Sequence, residues 1–141
     1  METSVLRKRV ADTIEKAKRA AAERRVRSDE GARAFTVFLD TIAVPLFKQV
    51  ANVLRASGYA FTVFTPSGAV RLMSDKRSED FVELTLDASG DHALVMGKSS
   101  RSHGRNIIER EQAIAELSVE HLTEDHVLNY LLREIEPFVE R

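Results

Sequence analysis

The residues best suited to chemistry cluster between Lys98 and Asn106, where cations, hydroxyl groups and a histidine follow one another. The cationic members of this segment are Lys98, Arg101, His103 and Arg105. Backbone N–H groups in a polar loop, helped by such cations, can hold a phosphate or a carboxylate. The segment is therefore a candidate anion-binding loop. A mobile hairpin loop that is charged only to remain solvated has the same composition, and it is the simpler interpretation.

The same segment carries no complete catalytic motif. Gly97-Lys98-Ser99 resembles the end of a phosphate-binding P-loop, but the motif requires a glycine where this chain has His92. The serines beside His103 lack a third group that would fix a base within their reach. None of the six glycines has another glycine two positions away, as a dinucleotide fingerprint requires. The sequence therefore assigns no catalytic residue and no cofactor, and it favours a function other than catalysis.

Metal, disulfide and membrane chemistry are not expected either. His121 and His126 are five residues apart, so they would not share one face of a helix as metal ligands do. The chain has no cysteine, which favours a reducing cytoplasm. Its opening residues are polar and basic, so we expect no secretory signal. The longest nearly apolar run, Thr41 to Phe47, is too short to span a bilayer.

A long amphipathic helix is predicted at the start of the chain, over residues 5–26. Its apolar positions repeat every three or four residues and form one narrow stripe: Leu6, Val10, Ile14, Ala17 and Ala21. A stripe that narrows to alanine suits the close approach of another helix. We therefore predict self-association, as a dimer, through this helix. Packing of the same stripe on the chain's own second helix is an equal alternative.

Charge is distributed unevenly along the chain. Residues 1–27 carry nine basic and four acidic side chains, whereas residues 107–141 carry three basic and nine acidic ones. The net charges of +5 and −6 predict that the first helix lies near the last segment, within one copy or across a dimer. Binding of nucleic acid by the basic helix and the Lys98 to Asn106 loop is the alternative. A pI of about 6.4 argues against it.

A second helix is predicted from the cap-forming segment Ser28 to Gly31 as far as Ser57. Its apolar arc is broad enough for a core helix. Pro45 removes one backbone donor, so the helix should bend or split there. Gly58 supplies the left-handed residue that commonly ends a helix.

After Gly58 the apolar period changes to two, which indicates strands. The predicted strands cover residues 59–65, 69–73, 81–87, 92–98 and 107–119, although the last segment also fits a helix. Their short connections allow only an antiparallel meander. A closing helix is predicted from Thr123 to just before Pro137. The fold class is α+β: two N-terminal helices, a sheet of four or five strands and a C-terminal helix.

We expect one domain over residues 1–141, with residues 1–27 as an oligomerisation arm and residues 28–141 as the α+β core. No segment carries a motif specific enough to indicate a family. The expected function is that of a non-enzymatic, cytoplasmic protein-binding or adaptor-type domain that forms homodimers and has a protein or peptide partner. Nucleic-acid or anion binding is the alternative, and small-molecule catalysis ranks last.

Overall fold

The structure, a computed structural model, describes residues 1–140 of the chain. The helical elements are α1 (Thr3–Phe38), a π-helical turn (Leu39–Ala43), α2 (Val44–Ala56), a short 3-10 turn (Val119–His121) and α3 (Glu124–Glu140). The strands are β1 (Phe61–Phe64), β2 (Val70–Ser74), β3 (Phe81–Asp87), β4 (Leu94–His103) and β5 (Asn106–Ala113). The predicted α+β class is confirmed.

The predicted helix boundary at Ser28 to Gly31 is wrong, because α1 runs through this segment without interruption. Gly31 is buried, and a Cβ placed on it would lie 2.6 Å from the Cβ of Ala93. Its lack of a side chain lets the helix approach the β3–β4 connection closely. The glycine serves packing rather than termination, and Asp29 and Glu30 before it are exposed and do not break the helix.

The predicted split at Pro45 is confirmed. Proline cannot donate a backbone hydrogen bond to the residue four positions earlier, which is Thr41. The π-turn Leu39–Ala43 contains Thr41 and separates α1 from α2. At its other end α2 stops as predicted. The Tyr59 N–H donates to the Leu54 carbonyl and the Gly58 N–H to the Arg55 carbonyl, with Gly58 at φ 93°.

The five strands form one antiparallel meander in the order β1-β2-β3-β4-β5. One row of paired residues crosses the sheet from Val70 through Leu84 and Gly97 to Gln112. The segment that fitted either a helix or a strand is therefore strand β5 over most of its length. Strand β4 is longer than predicted, because it begins at Leu94 and continues to His103.

One face of the sheet is covered by helices. The core cluster joins α2 and α3 to the inward residues of the strands, with Phe47, Leu72 and Leu84 fully buried. A Cβ on Gly97 would lie 2.2 Å from the Tyr130 ring, so this glycine lets α3 rest directly on β4. The opposite sheet face carries residues such as Glu83 and is not covered by a helix.

The prediction that the last helix ends before Pro137 is wrong, because Pro137 lies inside α3. The extra turn brings Phe138 into the core, where its ring centroid is 5.5 Å from that of Phe61. Burial of an aromatic ring offsets the loss of one hydrogen bond near a helix end.

By length and composition, one 18-residue stretch of the long helix could cross a membrane. Core helices meet the same criterion, and Phe35, Phe38 and Phe47 of this helix lie in the hydrophobic core.

Candidate functional site

The N-terminal part of α1 projects away from the rest of the described structure. Every residue from Thr3 to Arg19 is exposed, and we call residues 3–27 the arm. Three side chains of the predicted self-association stripe are about half exposed: Leu6 at 51%, Val10 at 49% and Ile14 at 50%. Ala17 is exposed and Ala21 is half-buried. The structure keeps the five predicted residues on one helical face and leaves that face largely open.

The stripe does not pack on the chain's own second helix. The arm and α2 belong to one helical run, interrupted only by the π-turn, so the arm points away from the segment that follows it. At 1.5 Å per residue the arm is about 38 Å long. None of the four ion pairs found within residues 1–140 involves the arm. Within one copy α1 does contact the acidic last segment, at the 3-10 turn Val119–His121, but within residues 1–140 no ion pair joins the arm to it.

Six of the nine basic side chains of the arm border the apolar stripe. At 100° per residue, basic side chains border the stripe on both sides: Arg7, Lys18 and Arg25 on one, and Arg9, Lys16 and Arg27 on the other. The acidic side chains Asp12, Glu15 and Glu23 lie on the far face together with Lys8 and Arg19, and Arg24 lies on the stripe side itself. The apolar stripe is thus framed by positive charge.

The predicted anion-binding loop is not a loop. Residues 98–103 belong to β4, and only Gly104 and Arg105 form the turn to β5, with Gly104 at φ 63°. Alternation along β4 places Lys98 on the open sheet face, where its Nζ lies 3.8 Å from Glu109 Oε2. Arg101 and His103 point to the helix-covered side. The four predicted cations therefore do not converge on one point.

A different basic cluster forms at this end of the sheet. Arg77, in the β2–β3 connection, donates from Nη1 to Ser102 Oγ on β4 over 2.8 Å. Beside it is an open cleft of about 280 Å³, whose polar lining residues are Ser74, Lys76, Arg77 and Asp80. We call Lys76, Arg77 and Arg105 the basic end. The sequence contained a usable signal, because in a meander the second and fourth connections must lie at the same end.

The arm and the basic end lie at opposite ends of the sheet. Gly31, where the arm meets the core, packs against Ala93 in the β3–β4 connection. The basic end contains the β2–β3 and β4–β5 connections, which are on the other side. A single binding site made of the basic helix and the Lys98 to Asn106 segment is therefore not formed within one copy.

A second apolar stripe, which the sequence interpretation missed, runs along the flank of α3. Its members are spaced by four, three and four residues: Leu128, Leu132, Ile135 and Val139. Leu132 is 52% exposed and Val139 is 39% exposed, whereas Leu128 and Ile135 touch the core cluster. We call this set the α3 stripe. From sequence, only the closing helix itself is predicted, with no distinction between its two faces.

The buried carboxylates have structural partners. Asp80 Oδ1 accepts a hydrogen bond from the Ser102 N–H at 2.8 Å. Glu134 lies 3.8 Å from Arg110 Nη1 and 3.5 Å from the amide nitrogen of Gln112. Both groups tie loops or helices to the sheet. Burial also raises the pKa of the Tyr130 phenol, which keeps this ring neutral within the core.

Two of the histidines, His92 and His121, line one open cavity of about 320 Å³ beside Asp91 and Glu116. His126 Nδ1 accepts a hydrogen bond from the Thr123 N–H at 2.9 Å, so this imidazole caps the start of α3. Within residues 1–140, no group of three or more His, Cys, Asp or Glu side chains is placed to hold a metal ion.

Taken together, the geometry offers three surfaces: an apolar stripe bordered by cations on the arm, the α3 stripe, and a basic end on the sheet. Comparisons of the chain with models of protein families, with curated proteins and with solved structures find no match.

Proposed function

We propose that this protein is a self-associating, protein-binding domain of the cytoplasm, in which the arm holds two copies together. The observation that carries the proposal is the exposed stripe of Leu6, Val10 and Ile14, which lies in the part of α1, residues 3–19, where every residue is exposed. A contiguous apolar patch on a protein surface commonly marks the site where another molecule binds. The surface of the α+β part of the chain, which follows the arm, would then remain available to a protein or peptide partner.

The free energy of the arm favours burial of its apolar stripe against another surface. An isolated helix shorter than about 12–15 residues is marginal in water, and longer ones are stabilised in proteins chiefly by packing of an apolar face. The arm has a helical sequence and an apolar face, but its own copy supplies no surface for that face. Burying branched aliphatic side chains against a second copy would contribute about 25 cal/mol per Å² of apolar area removed from water.

Light scattering on the intact chain tests this proposal. We expect a dimer at micromolar concentration, and a monomer for the triple variant L6S/V10S/I14S. The matched control is K8S/E15S, which changes the opposite face of the arm without changing its net charge and should leave the dimer intact. A monomeric intact chain, or a triple variant that still dimerises, would contradict the proposal.

A second candidate function, anion binding at the basic end, is supported by one observation. The Arg77 to Ser102 hydrogen bond joins the β2–β3 connection to β4 near the β4–β5 turn, and Lys76 and Arg77 line one cleft there together with Asp80. Titration with pyrophosphate and with a single-stranded oligonucleotide at two salt concentrations tests it. Phosphate contacts must weaken as salt rises. We expect K76Q/R105Q to weaken binding and K8Q/K48Q not to; absence of binding at low salt would exclude this function.

A further inference from the structure

The two exposed stripes of this molecule match in spacing, and the shorter one fits within the length of the longer one. The arm stripe extends from Leu6 to Ala21, and the α3 stripe extends from Leu128 to Val139. At 1.5 Å per residue these spans correspond to about 24 Å and about 18 Å. Both stripes repeat at intervals of three and four residues, which is the spacing that lets two helices interlock along their length.

The two stripes also carry opposite charge. The arm stripe is framed by cations on both sides, whereas α3 contains five acidic residues and one arginine. Asp125 and Glu136 lie on the solvent side of the α3 stripe at 100° per residue, and both are exposed. An arm packed on α3 therefore places unlike charges side by side. Two arms packed on each other would instead bring like charges together along both edges.

The geometry of one copy prevents this contact from forming within it. The α3 helix contacts α2, so it lies beside the C-terminal half of the long helical run. The arm is the N-terminal half of the same run and extends past the opposite end of the sheet. It cannot turn back without unfolding α1 near Gly31, where the helix is packed against Ala93. The arm must find an α3 helix on another molecule.

We propose that the arm of each copy docks along the α3 stripe of a second copy, so that two reciprocal arm–α3 contacts build the dimer. This inference rests on the proposed self-association and names the surface that receives the arm. A two-fold axis across antiparallel long helices satisfies both contacts at once, and a closed two-fold assembly is the commonest form of homodimer. Leu132 and Val139 become buried in the assembly, and the acidic and basic flanks lie next to one another.

Cysteine cross-linking tests the contact directly, because the chain has no cysteine of its own. Ile14 and Leu132 lie near the centres of their stripes, so they should meet whichever way the arm runs along α3. Mixed in equal amounts and mildly oxidised, the single variants I14C and L132C should give a disulfide-linked heterodimer. Mixing K8C with L132C provides the control, because Lys8 lies on the far face of the arm.

The cross-linking outcomes separate this inference from the proposed function. A chain that scatters light as a monomer defeats both. A dimer in which I14C links only to a second I14C shows arm–arm pairing, and it overturns the docking surface while preserving self-association. A dimer that yields neither link also overturns the docking surface.

Charge reversal gives a second readout that does not depend on disulfide geometry. We expect D125K/E136K to weaken dimerisation by about tenfold or more at low salt, because like charges then border the stripe. Reversing the arm flanks in the same chain, with R7E, R9E, K16E and K18E, should restore most of the lost affinity. Failure of this rescue in a folded chain, judged by an unchanged circular dichroism spectrum, would count against arm–α3 pairing.

Discussion

Two halves of one helical run behave in opposite ways. From Thr3 to Arg19 every residue is exposed, whereas the part between Gly31 and Ala56 buries a succession of large side chains in the core. Both halves have apolar residues at helical spacing. The difference lies in breadth: the arm has a narrow stripe that narrows to alanine, and the core half has a wide arc that includes Phe35, Phe38 and Phe47.

The comparison shows what the polar segment Ser28 to Gly31 does. In sequence it has the composition of a helix end, but in the structure it marks the point where a helix leaves the core and continues alone. The change from a narrow apolar stripe to a wide apolar arc therefore indicates where the helix enters the core, and it does so better than the helix-breaking residues.

The largest expected effect is on the free energy of unfolding, when one apolar side chain is truncated in each half of the helical run. Phe47 is fully buried, so Phe47→Ala should lower the free energy of unfolding by about 3–5 kcal/mol through lost burial and the cavity left behind. Ile14→Ala in the arm should change it by less than about 0.5 kcal/mol. Urea denaturation at submicromolar protein concentration, where the arm has no partner, measures both. Equal losses at the two positions would mean that the arm is part of the core.

A smaller effect is expected at Gly31, where the two halves meet. Gly31→Ala puts a methyl group 2.6 Å from the Cβ of Ala93, and such overpacking costs about 1–3 kcal/mol. In the background of Ala93→Gly the obstacle is gone. The same substitution should then stabilise the helix by up to about 1 kcal/mol, because alanine is a better helix former than glycine.

The sign change between the two backgrounds is the measured quantity, and thermal or urea unfolding of the four variants provides it. If Gly31→Ala were destabilising by the same amount in both backgrounds, the close approach to Ala93 would not explain the glycine.

The alternation of apolar residues was sufficient to predict the sheet. A repeat of two residues indicates strands, and connections this short allow only an antiparallel meander. The positions of β3 and the end of α2 followed from Val82, Leu84 and Gly58. What failed did so for tertiary reasons: Gly31 is used for packing against a residue 62 positions away, and Pro137 is tolerated because Phe138 reaches the core. Neither contact leaves a local signal.

Of the candidate surfaces, one could be predicted from local sequence and another could not. The arm stripe could be read from one helix, since its five members share a face by spacing alone. The basic end could not be read from one loop, because Arg77 and Ser102 become neighbours only when β2 and β4 flank β3. The Lys98 to Asn106 prediction treated as one loop a segment whose side chains alternate between two faces of a strand.

The smallest expected effect concerns the C-terminal end of the core half. This end is joined to the sheet by an ion pair, whereas the arm forms no ion pair within residues 1–140. Arg55 Nη2 lies 2.8 Å from Asp75 Oδ2, and the Thr62 hydroxyl donates to Asp75 Oδ1. The Thr62 hydrogen bond, followed by the one from Arg55, lowers the pKa of the Asp75 carboxyl. A carboxyl whose pKa is lower in the folded state stabilises that state above its unfolded pKa, and the gain is lost as pH falls through the folded value.

Asp75→Asn should therefore lower the melting temperature slightly near neutral pH, and the difference from the unmodified chain should shrink as pH falls below the ordinary value of 3.8 and the native carboxyl becomes protonated. The effect is small because Arg55 and Asp75 keep side-chain exposures of 52% and 37%. Asp12→Asn on the far face of the arm is the matched control, and it should leave the melting temperature unchanged. A difference for Asp75→Asn that persisted undiminished at low pH would assign its effect to lost packing rather than to charge, because the charge it removes is then already absent from the native chain.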